Sequence, residues 1–233
     1  MSINIVQALK QVSTATITTF LFQKGLKNVW IRRASPLRPG QERQVGAAFT
    51  LRFVPAREDL ATESIWSAPI STRAAVEDMP AGCIAVADTG GVTHAGSFGD
   101  ILCARMKVIG VSGLVTDGAI RDRDAIEEIG FPVWSNGVSS SPSTSGLTFV
   151  DWQRPISCGG VAVFPGDYIV ADGDGAVVVP PRYAEQIAAS GPDEERLDLW
   201  VREQVLSGAR LTDIYPPDEA VRERFRASAT RNR

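Results

Sequence analysis

In the middle of the chain, short apolar runs alternate with helical patterns, and this alternation constrains the fold more than any other feature. The apolar runs at residues 83–88, 111–116 and 131–134 predict three buried strands. Helices are predicted between them, at residues 100–108 and 122–129. Short buried strands that alternate with helices are typical of an α/β core. The sequence therefore predicts an α/β fold.

The segments on either side predict further strands and an N-terminal helix. Ser13 is placed to cap a helix that Gly25 ends, and residues 46–54 alternate as a strand that Pro55 closes. Residues 57–69 have no regular pattern and are predicted to be a loop or an insertion near an interface, followed by a helix. Beyond Gly137, turns rich in Gly, Pro and Asp separate three β-like runs at 160–164, 168–171 and 175–179.

The C-terminal part of the chain predicts a helical tail. Leu197, Trp200, Val201 and Val205 fall on one face of a helix that Gly208 ends. Two prolines then precede a last charged helix. We predict one catalytic domain over residues 1–180 and a tail over 181–233. The apolar face predicts that the tail packs on a neighbouring subunit of a homo-oligomer.

Composition excludes several classes of protein. The 233 residues are 44% hydrophobic and 22% charged, with a net charge of -3, which argues against a general nucleic-acid binder. Three cysteines without a CxxC pair favour neither a zinc cluster nor a disulfide framework, and fit a reducing compartment. No apolar stretch reaches the length of a membrane span. We expect a cytoplasmic protein that binds neither nucleic acid nor membrane.

A turn rich in small residues precedes the helix predicted at residues 100–108. Gly99, Asp100, Ile101 and Leu102 then occupy its first turn, where unpaired N–H groups and the helix dipole attract a carboxylate. The same turn also fits a plain connection between a strand and a helix, so both interpretations stay open here.

An Arg–Asp pair follows Asp100 after twenty intervening residues, at Arg121 and Asp122. An arginine can clamp a carboxylate with two parallel hydrogen bonds, and an aspartate can hold a hard divalent metal. The alternative is that Asp122 or Asp124 caps the next helix while Arg121 and Arg123 are solvated. Position favours the first pair, because it lies just beyond a strand end, where ligands bind in α/β sheets.

Other chemistries find less support. No GxGxxG spacing and no P-loop occur in the sequence. The single histidine, His94, is not accompanied by a nucleophile-elbow motif. It is either a structural residue or one that supports the site residues without contacting the ligand. A Schiff-base aldolase needs a buried lysine, and Lys107, late in a helix, is a poor candidate. Metal-dependent enolate chemistry is the better hypothesis.

Several motifs in order resemble one family over about residues 46–180. Besides Asp100 and the Arg121-Asp122 pair, they are VTDGAIRD, GFPVW, SCGGVAV and PGDYIVAD. Together they resemble the RraA-like proteins. This family includes the class II 4-hydroxy-4-methyl-2-oxoglutarate/4-carboxy-4-hydroxy-2-oxoadipate aldolases and the ribonuclease E activity regulators.

The resemblance implies a swivelling β/β/α-type fold, with helices at both termini, in trimers or hexamers whose sites lie between subunits. It implies that Arg121 and the amides of residues 99–102 hold the substrate while Asp122 binds Mg²⁺ or Mn²⁺. In the aldolases an acidic residue from a neighbour's tail assists. Glu194, Glu195 and Asp198 are the candidates here, with no clear register among them.

The function that follows is a metal-dependent lyase that cleaves a small 2-oxo acid through a pyruvate enolate, and that also decarboxylates oxaloacetate. Arg121 would stabilise the developing charge, and Asp100 would orient a water that takes the proton. A non-catalytic, protein-binding regulator of the RNase E type is the alternative. A family member with a different substrate is a third possibility.

Overall fold

The computed structural model describes residues 4–231, which contain eleven strands and seven α-helices. The strands are β1 (Trp30–Ile31), β2 (Ser35–Pro36), β3 (Gln44–Pro55), β4 (Ile84–Asp88), β5 (Gly113–Thr116), β6 (Val133–Ser135), β7 (Leu147–Trp152), β8 (Ile156–Cys158), β9 (Val161–Val163), β10 (Tyr168–Asp172) and β11 (Gly175–Val179). The helices are α1 (Ile5–Leu9), α2 (Thr14–Gln23), α3 (Thr72–Glu77), α4 (Asp100–Val108), α5 (Arg123–Ile129), α6 (Pro181–Leu206) and α7 (Glu219–Arg231). Among these described helices, none has the length and apolar content needed to cross a membrane.

A mixed sheet organises the fold. Strands β3, β4, β5 and β6 run parallel in that order, as the connecting helices require. Strands β10, β11 and β1 extend it antiparallel beside β3, and β2 pairs with β6 at the other edge. Strand β7 also pairs with β3, and β8 and β9 form a separate hairpin. The α/β prediction is confirmed.

Strand β4 shows how the two faces of the sheet are filled. Successive side chains of a strand point to opposite faces. Ala85 and Ala87 therefore join the core formed with helices α3, α4 and α5. Ile84 and Val86 face the other side, where the β8–β9 hairpin covers them. Burial on both faces explains why this strand reads as a continuous apolar run.

Most predicted elements lie where the sequence placed them. Ser13 caps α2 by accepting a hydrogen bond from the Thr16 N–H, and the helix predicted at 100–108 is α4. The run at 111–116 is strand only from Gly113, because the Val111 N–H still bonds the Met106 carbonyl at the end of α4. Residues 57–69, predicted to be irregular, contain a short 3-10 turn at Glu63–Ser67.

The tail packs on its own chain. Helix α6 begins at Pro181 and continues through Pro192. Leu197 and Val201, on the predicted apolar face, are buried against α7 and Ile214. The segment before α7 reverses the chain and brings that helix back onto α6. The apolar face is thus covered within the chain and no longer argues for contact with a neighbour, so the oligomer stays a prediction.

Asp172 joins the N-terminal helices to the sheet. Its carboxylate accepts hydrogen bonds from the N–H and hydroxyl of Thr14 at 2.9 and 2.7 Å. It also accepts from the Asp174 N–H at 3.1 Å and from Arg43 Nε at 3.3 Å. One buried carboxylate therefore accepts hydrogen bonds from α2, from the turn between β10 and β11, and from Arg43 just before β3.

Replacing this carboxylate is expected to destabilise the protein. Asp172→Ala leaves the Thr14 donors buried without partners and should lower the free energy of unfolding by about 3 kcal/mol. Urea denaturation followed by circular dichroism measures the change. Asp174→Ala is the matched control, because Asp174 is exposed two residues away and should change stability by less than about 0.5 kcal/mol. Equal effects of the two substitutions would contradict this role.

Candidate functional site

A cavity of about 620 Å³ opens where the connection after β4 meets the connection after β5. Ligands bind at such crevices, beyond the carboxyl ends of parallel strands. The lining residues come from four separate segments of the chain: Trp66, Ser67, Arg73, Gly96, Ser97, Gly99, Asp100, Ile101, Leu102, Arg121, Asp122 and Ser143.

Backbone hydrogen bonds hold the two connections together. The Ser97 N–H and hydroxyl both donate to the Ala119 carbonyl, at 2.8 and 2.9 Å. Two residues further along, the Arg121 N–H donates to the Phe98 carbonyl at 2.9 Å. The Gly96 N–H donates to the Ser141 carbonyl on the other side, also at 2.9 Å. The position of Arg121 relative to the start of α4 is therefore fixed by the main chain.

Glycine is required at two positions of the first connection because the second connection approaches so closely. A Cβ added at Gly99 would lie 2.5 Å from Asp122 Oδ2. A Cβ added at Gly96 would lie 2.7 Å from the Cβ of Arg121. Both distances are shorter than van der Waals contact allows. The small residues that marked this turn in the sequence thus make room for the Arg–Asp pair.

Arg121 and Asp122 form an ion pair at the cavity wall. Arg121 Nε donates to Asp122 Oδ2 at 3.0 Å, and the side chains are 40% and 34% exposed. Among residues 4–231, no partner bonds the two Nη groups of Arg121 or Oδ1 of Asp122. These atoms are available to a ligand in the cavity.

The backbone at Asp122 argues against the capping alternative. This residue adopts the left-handed conformation, with φ 58° and ψ 41°, which is uncommon outside glycine. It occupies the N-cap position of α5, yet its side chain makes no capping hydrogen bond. The carboxylate points to Arg121 instead. A strained backbone that aims a carboxylate into a cavity is a pattern found at functional sites.

Helix α4 begins at the same cavity without a capping side chain, because its N-cap is Gly99. Within the described part of the chain, the N–H groups of Asp100, Ile101 and Leu102 donate to no acceptor. Such free amides and the positive end of the helix dipole favour a bound anion. Ile101 is 78% exposed, so the opening turn is accessible.

The two carboxylates of the site affect the pKa of Cys103, a buried residue of α4. Burial, together with the charges of Asp100 and Asp122, raises the pKa of the Cys103 thiol to about 12. The negative charge that disfavours a thiolate at Cys103 favours a bound cation. The available donors are carboxylate oxygens, which are the ligands of hard cations.

Those donors fit a metal ion that keeps most of its water. In the part of the chain that the structure describes, no three His, Cys, Asp or Glu side chains form a metal-binding group. Asp122, with Asp100 nearby in the lining, would therefore supply only one or two protein ligands. Mg²⁺ is usually held in this way, by one or two carboxylates together with waters and substrate oxygens.

The other residues that the sequence singled out lie elsewhere. Arg123 is inside α5, where it bonds Glu127 and the Leu37 carbonyl. His94 is exposed and packs against Gly146 outside the cavity lining. Lys107 donates to the carbonyl of Ile129, the last residue of α5.

The acidic residues of the tail do not line this cavity within the chain. Glu194 pairs with Arg222 at 2.8 Å, and Glu195 accepts from the Ser13 N–H at 2.7 Å. Burial and the neighbouring glutamates raise the pKa of Asp198. Assistance from a neighbour's tail therefore stays a prediction, with none of the three assigned.

Sequence reasoning missed four lining residues, Trp66, Ser67, Arg73 and Ser143. The first two lie in the irregular segment at 57–69, Arg73 lies on α3, and Ser143 lies within the serine-rich stretch at 139–145, after β6. Neither spacing nor composition marks them. Only the tertiary fold brings them to the Arg–Asp pair.

Comparison with known proteins agrees with this architecture. The model of the RraA-like family, described as Aldolase/RraA, matches residues 11–178. The structure of Streptomyces coelicolor RraAS2, described as an unusual member of the RNase ES inhibitor RraA protein family, is 34% identical. Its TM-score is 0.76, and the match covers 87% of this chain and 97% of that one. An uncharacterized protein from Pseudomonas syringae, 24% identical with a TM-score of 0.79, shares the fold over 91% and 93% of the two chains.

A relative from Halalkalibacterium halodurans bears the name "Putative 4-hydroxy-4-methyl-2-oxoglutarate aldolase". It is 35% identical over 136 residues, which are 58% of this chain and 63% of the relative. The chain spans less than two thirds of the length of this and other curated relatives that it matches. The family match covers most of the chain, and the fold is that of solved RraA proteins. The chain belongs to the RraA-like Aldolase/RraA family.

Proposed function

We propose that this protein is a divalent-metal-dependent lyase that cleaves a small 2-oxo acid by way of a pyruvate enolate. The observation that carries the proposal is the convergence of Arg121, Asp122 and the uncapped start of α4 on one cavity. The aldolase name of the relative from Halalkalibacterium halodurans supports the same reaction type. Cleavage of a 4-hydroxy-4-methyl-2-oxoglutarate-like acid and decarboxylation of oxaloacetate both yield this enolate.

Binding of the substrate follows from the free donors. The carboxylate next to the 2-oxo group would accept hydrogen bonds from the amides of Ile101 and Leu102, at the positive end of α4. Arg121 would donate from its two Nη groups while its Nε stays on Asp122, which fixes the plane of the guanidinium. These contacts orient the bond that breaks.

A divalent cation held by Asp122, Mg²⁺ or Mn²⁺, would supply Lewis-acid stabilisation of the charge that develops on the 2-oxo oxygen. Arg121 adds preorganised donors directed at the same charge. In the aldol reaction the proton of the substrate's hydroxyl must leave as the carbon–carbon bond breaks. Asp100, in the first turn of α4, would orient the water that accepts it.

A regulator of the RNase E type is the second candidate. The likeness to Streptomyces coelicolor RraAS2, over nearly all of that chain, favours it. Regulation through protein binding would not need the free amides and the ion pair of the cavity, so dependence of activity on these groups separates the two functions. A cytoplasmic homo-oligomer, trimer or hexamer, with no nucleic-acid or membrane partner, is part of the proposal in either case.

Release of pyruvate from oxaloacetate tests the lyase directly. We expect activity with Mg²⁺, none with EDTA, and a loss of about 100-fold or more in kcat/KM in Asp122→Asn and in Arg121→Lys. Asparagine tolerates the left-handed backbone, so the first variant removes charge alone. Asp124→Asn and Arg123→Lys, in the neighbouring Arg–Asp pair, are matched controls and should retain activity. Metal-independent pyruvate release, or full activity in Asp122→Asn, would refute the lyase.

The close approach at Gly99 gives a second prediction. Gly99→Ala would place a methyl group against Asp122 Oδ2, and we expect about a tenfold or greater loss in kcat/KM because the carboxylate must move. Gly173→Ala is the control, because a Cβ there meets nothing within 4 Å. Parallel thermal unfolding shows whether the fold survives. Wild-type kinetics in Gly99→Ala would mean that the position of Asp122 does not matter for the reaction.

A further inference from the structure

One wall of the cavity is formed by a segment that has few contacts with the rest of the chain. Trp66 and Ser67, which belong to the irregular residues 58–70, lie in the lining. Among the residues of this segment whose burial the structure describes, none is buried. The main-chain N–H groups of the segment donate, within the described chain, only to its own carbonyls and to that of Arg57, as the Ala61 N–H does at 2.8 Å. Segments of this kind open at a low cost in free energy.

Both ends of the segment are fixed. Before it, β3 pairs with β7 as far as Pro55, and the Arg57 N–H donates to Thr148 Oγ1 at 3.2 Å. After it, Ser71 is buried and caps α3 by accepting a hydrogen bond from the Ala74 N–H at 3.2 Å. A stretch that is fixed at both ends and loosely held between them can move about those ends as a lid does.

Between the two ends, one side chain of the neighbouring helix α3 holds the segment. Arg73 Nε donates to the Trp66 carbonyl at 2.5 Å, and Arg73 Nη2 donates to Ser67 Oγ at 3.3 Å. Among the groups that the structure describes, no other hydrogen bond joins residues 58–70 to the chain outside residues 57–70. The segment is therefore held by a single guanidinium, and a contact of two hydrogen bonds can break and form again reversibly.

Trp66 is the part of the segment that meets both the cavity and the core. Besides lining the cavity, Trp66 and Ile65 line a void of about 10 Å³ next to Phe53 and Phe149. A void of this size holds one water molecule at most. Trp66 itself is only half-buried. Its contact with the aromatic core is thus incomplete, and a shift of the segment can improve it.

The segment and the start of α4 each expose large apolar side chains. Leu60 and Ile70 of the segment are 47% and 51% exposed, and Ile101, in the first turn of α4, is 78% exposed. Trp66 and Ile101 line the same cavity from these two parts of the chain. Movement of the segment towards α4 would remove apolar surface from water, which is favourable.

We propose that residues 58–70 form a lid that closes over the cavity when the metal ion and the 2-oxo acid are bound, with Arg73 as its latch. The proposal rests on the function proposed above, because closure removes bulk water from the enolate and strengthens the interactions that stabilise it. Main-chain hydrogen bonds fix the walls that hold Gly96 and Arg121, so the lid is the wall that moves. Arg73 limits how far the lid opens, and Trp66 covers the bound acid.

Amide hydrogen exchange, followed by mass spectrometry, tests the lid with oxalate as the probe. In the free protein we expect residues 58–70 to exchange about 100-fold faster than β4. Mg²⁺ together with oxalate should slow this exchange about tenfold or more, whereas Mg²⁺ alone should not. Residues 207–213, an exposed connection outside the cavity lining, are the control and should exchange at the same rate in every sample.

Substitutions at the latch separate a moving lid from a rigid wall. Arg73→Gln should reduce the protection by Mg²⁺ and oxalate to within about threefold, because the closed lid is no longer held. Ser67→Ala removes one of the two hydrogen bonds and should have a smaller effect in the same direction. Arg105→Gln removes an exposed guanidinium from α4, outside the lining, and should keep the full protection.

Failure of the lid and failure of the lyase give different results. Calorimetric binding of oxalate and release of pyruvate from oxaloacetate, without slower exchange in residues 58–70, would overturn the lid and leave the lyase intact. Slower exchange without pyruvate release would support the lid and refute the lyase. Absence of Mg²⁺-dependent oxalate binding would overturn both. Full protection in Arg73→Gln would overturn the assignment of Arg73 as the latch.

Discussion

The close contact between two chain connections is the constraint on which the site depends. The Arg121 N–H bonds the Phe98 carbonyl, and the Arg121 and Asp122 side chains pack where Gly96 and Gly99 have no Cβ. This contact brings a guanidinium and a carboxylate to the uncapped start of α4. The parallel strands β4 and β5 make it possible, because they deliver both connections to the same edge of the sheet. Rigid positioning of this kind is what electrostatic stabilisation of a developing charge requires.

The part of the site around Arg121 and Asp122, its near half, could be predicted from the sequence because its residues lie close together along the chain. Gly99, Asp100, Arg121 and Asp122 lie within one strand–helix–strand unit, and glycine at a turn signals a close approach of chains. The residues also carry an evident chemistry, since an arginine next to an aspartate suits an anion bound with a metal. The capping alternative for Asp122 could be decided only by the backbone, which places the residue in the left-handed region without a capping bond.

The rest of the cavity lining, the far half of the site, could not be predicted, for a physical reason. Trp66, Arg73 and Ser143 reach the cavity from an irregular segment, a six-residue helix and a turn after β6. Their placement depends on packing between α3, β3 and β7, which no spacing along the chain encodes. The tail shows the same limit. Its apolar face was recognised correctly, but whether α7 or a second subunit covers that face depends on a chain reversal remote from it.

The two halves of the site differ in what they contribute. On the function proposed above, the near half holds the groups that would stabilise negative charge on a 2-oxo oxygen, and the far half forms the rest of the cavity lining. The residues of the far half lie on an irregular segment, a short helix and a turn, which contribute little to the sheet. Function can differ between proteins that share a core of this kind, because it depends on the loops that the core carries.

Titration of Mn²⁺, followed by electron paramagnetic resonance, tests the central claim most directly when it is performed with and without oxalate, a mimic of the pyruvate enolate. The account predicts one Mn²⁺ site per chain whose affinity rises when oxalate is present. It also predicts that Asp122→Asn abolishes this site, whereas Asp124→Asn leaves it intact. Binding of Mn²⁺ that is indifferent to oxalate, or that is equal in the wild type and Asp122→Asn, would contradict it.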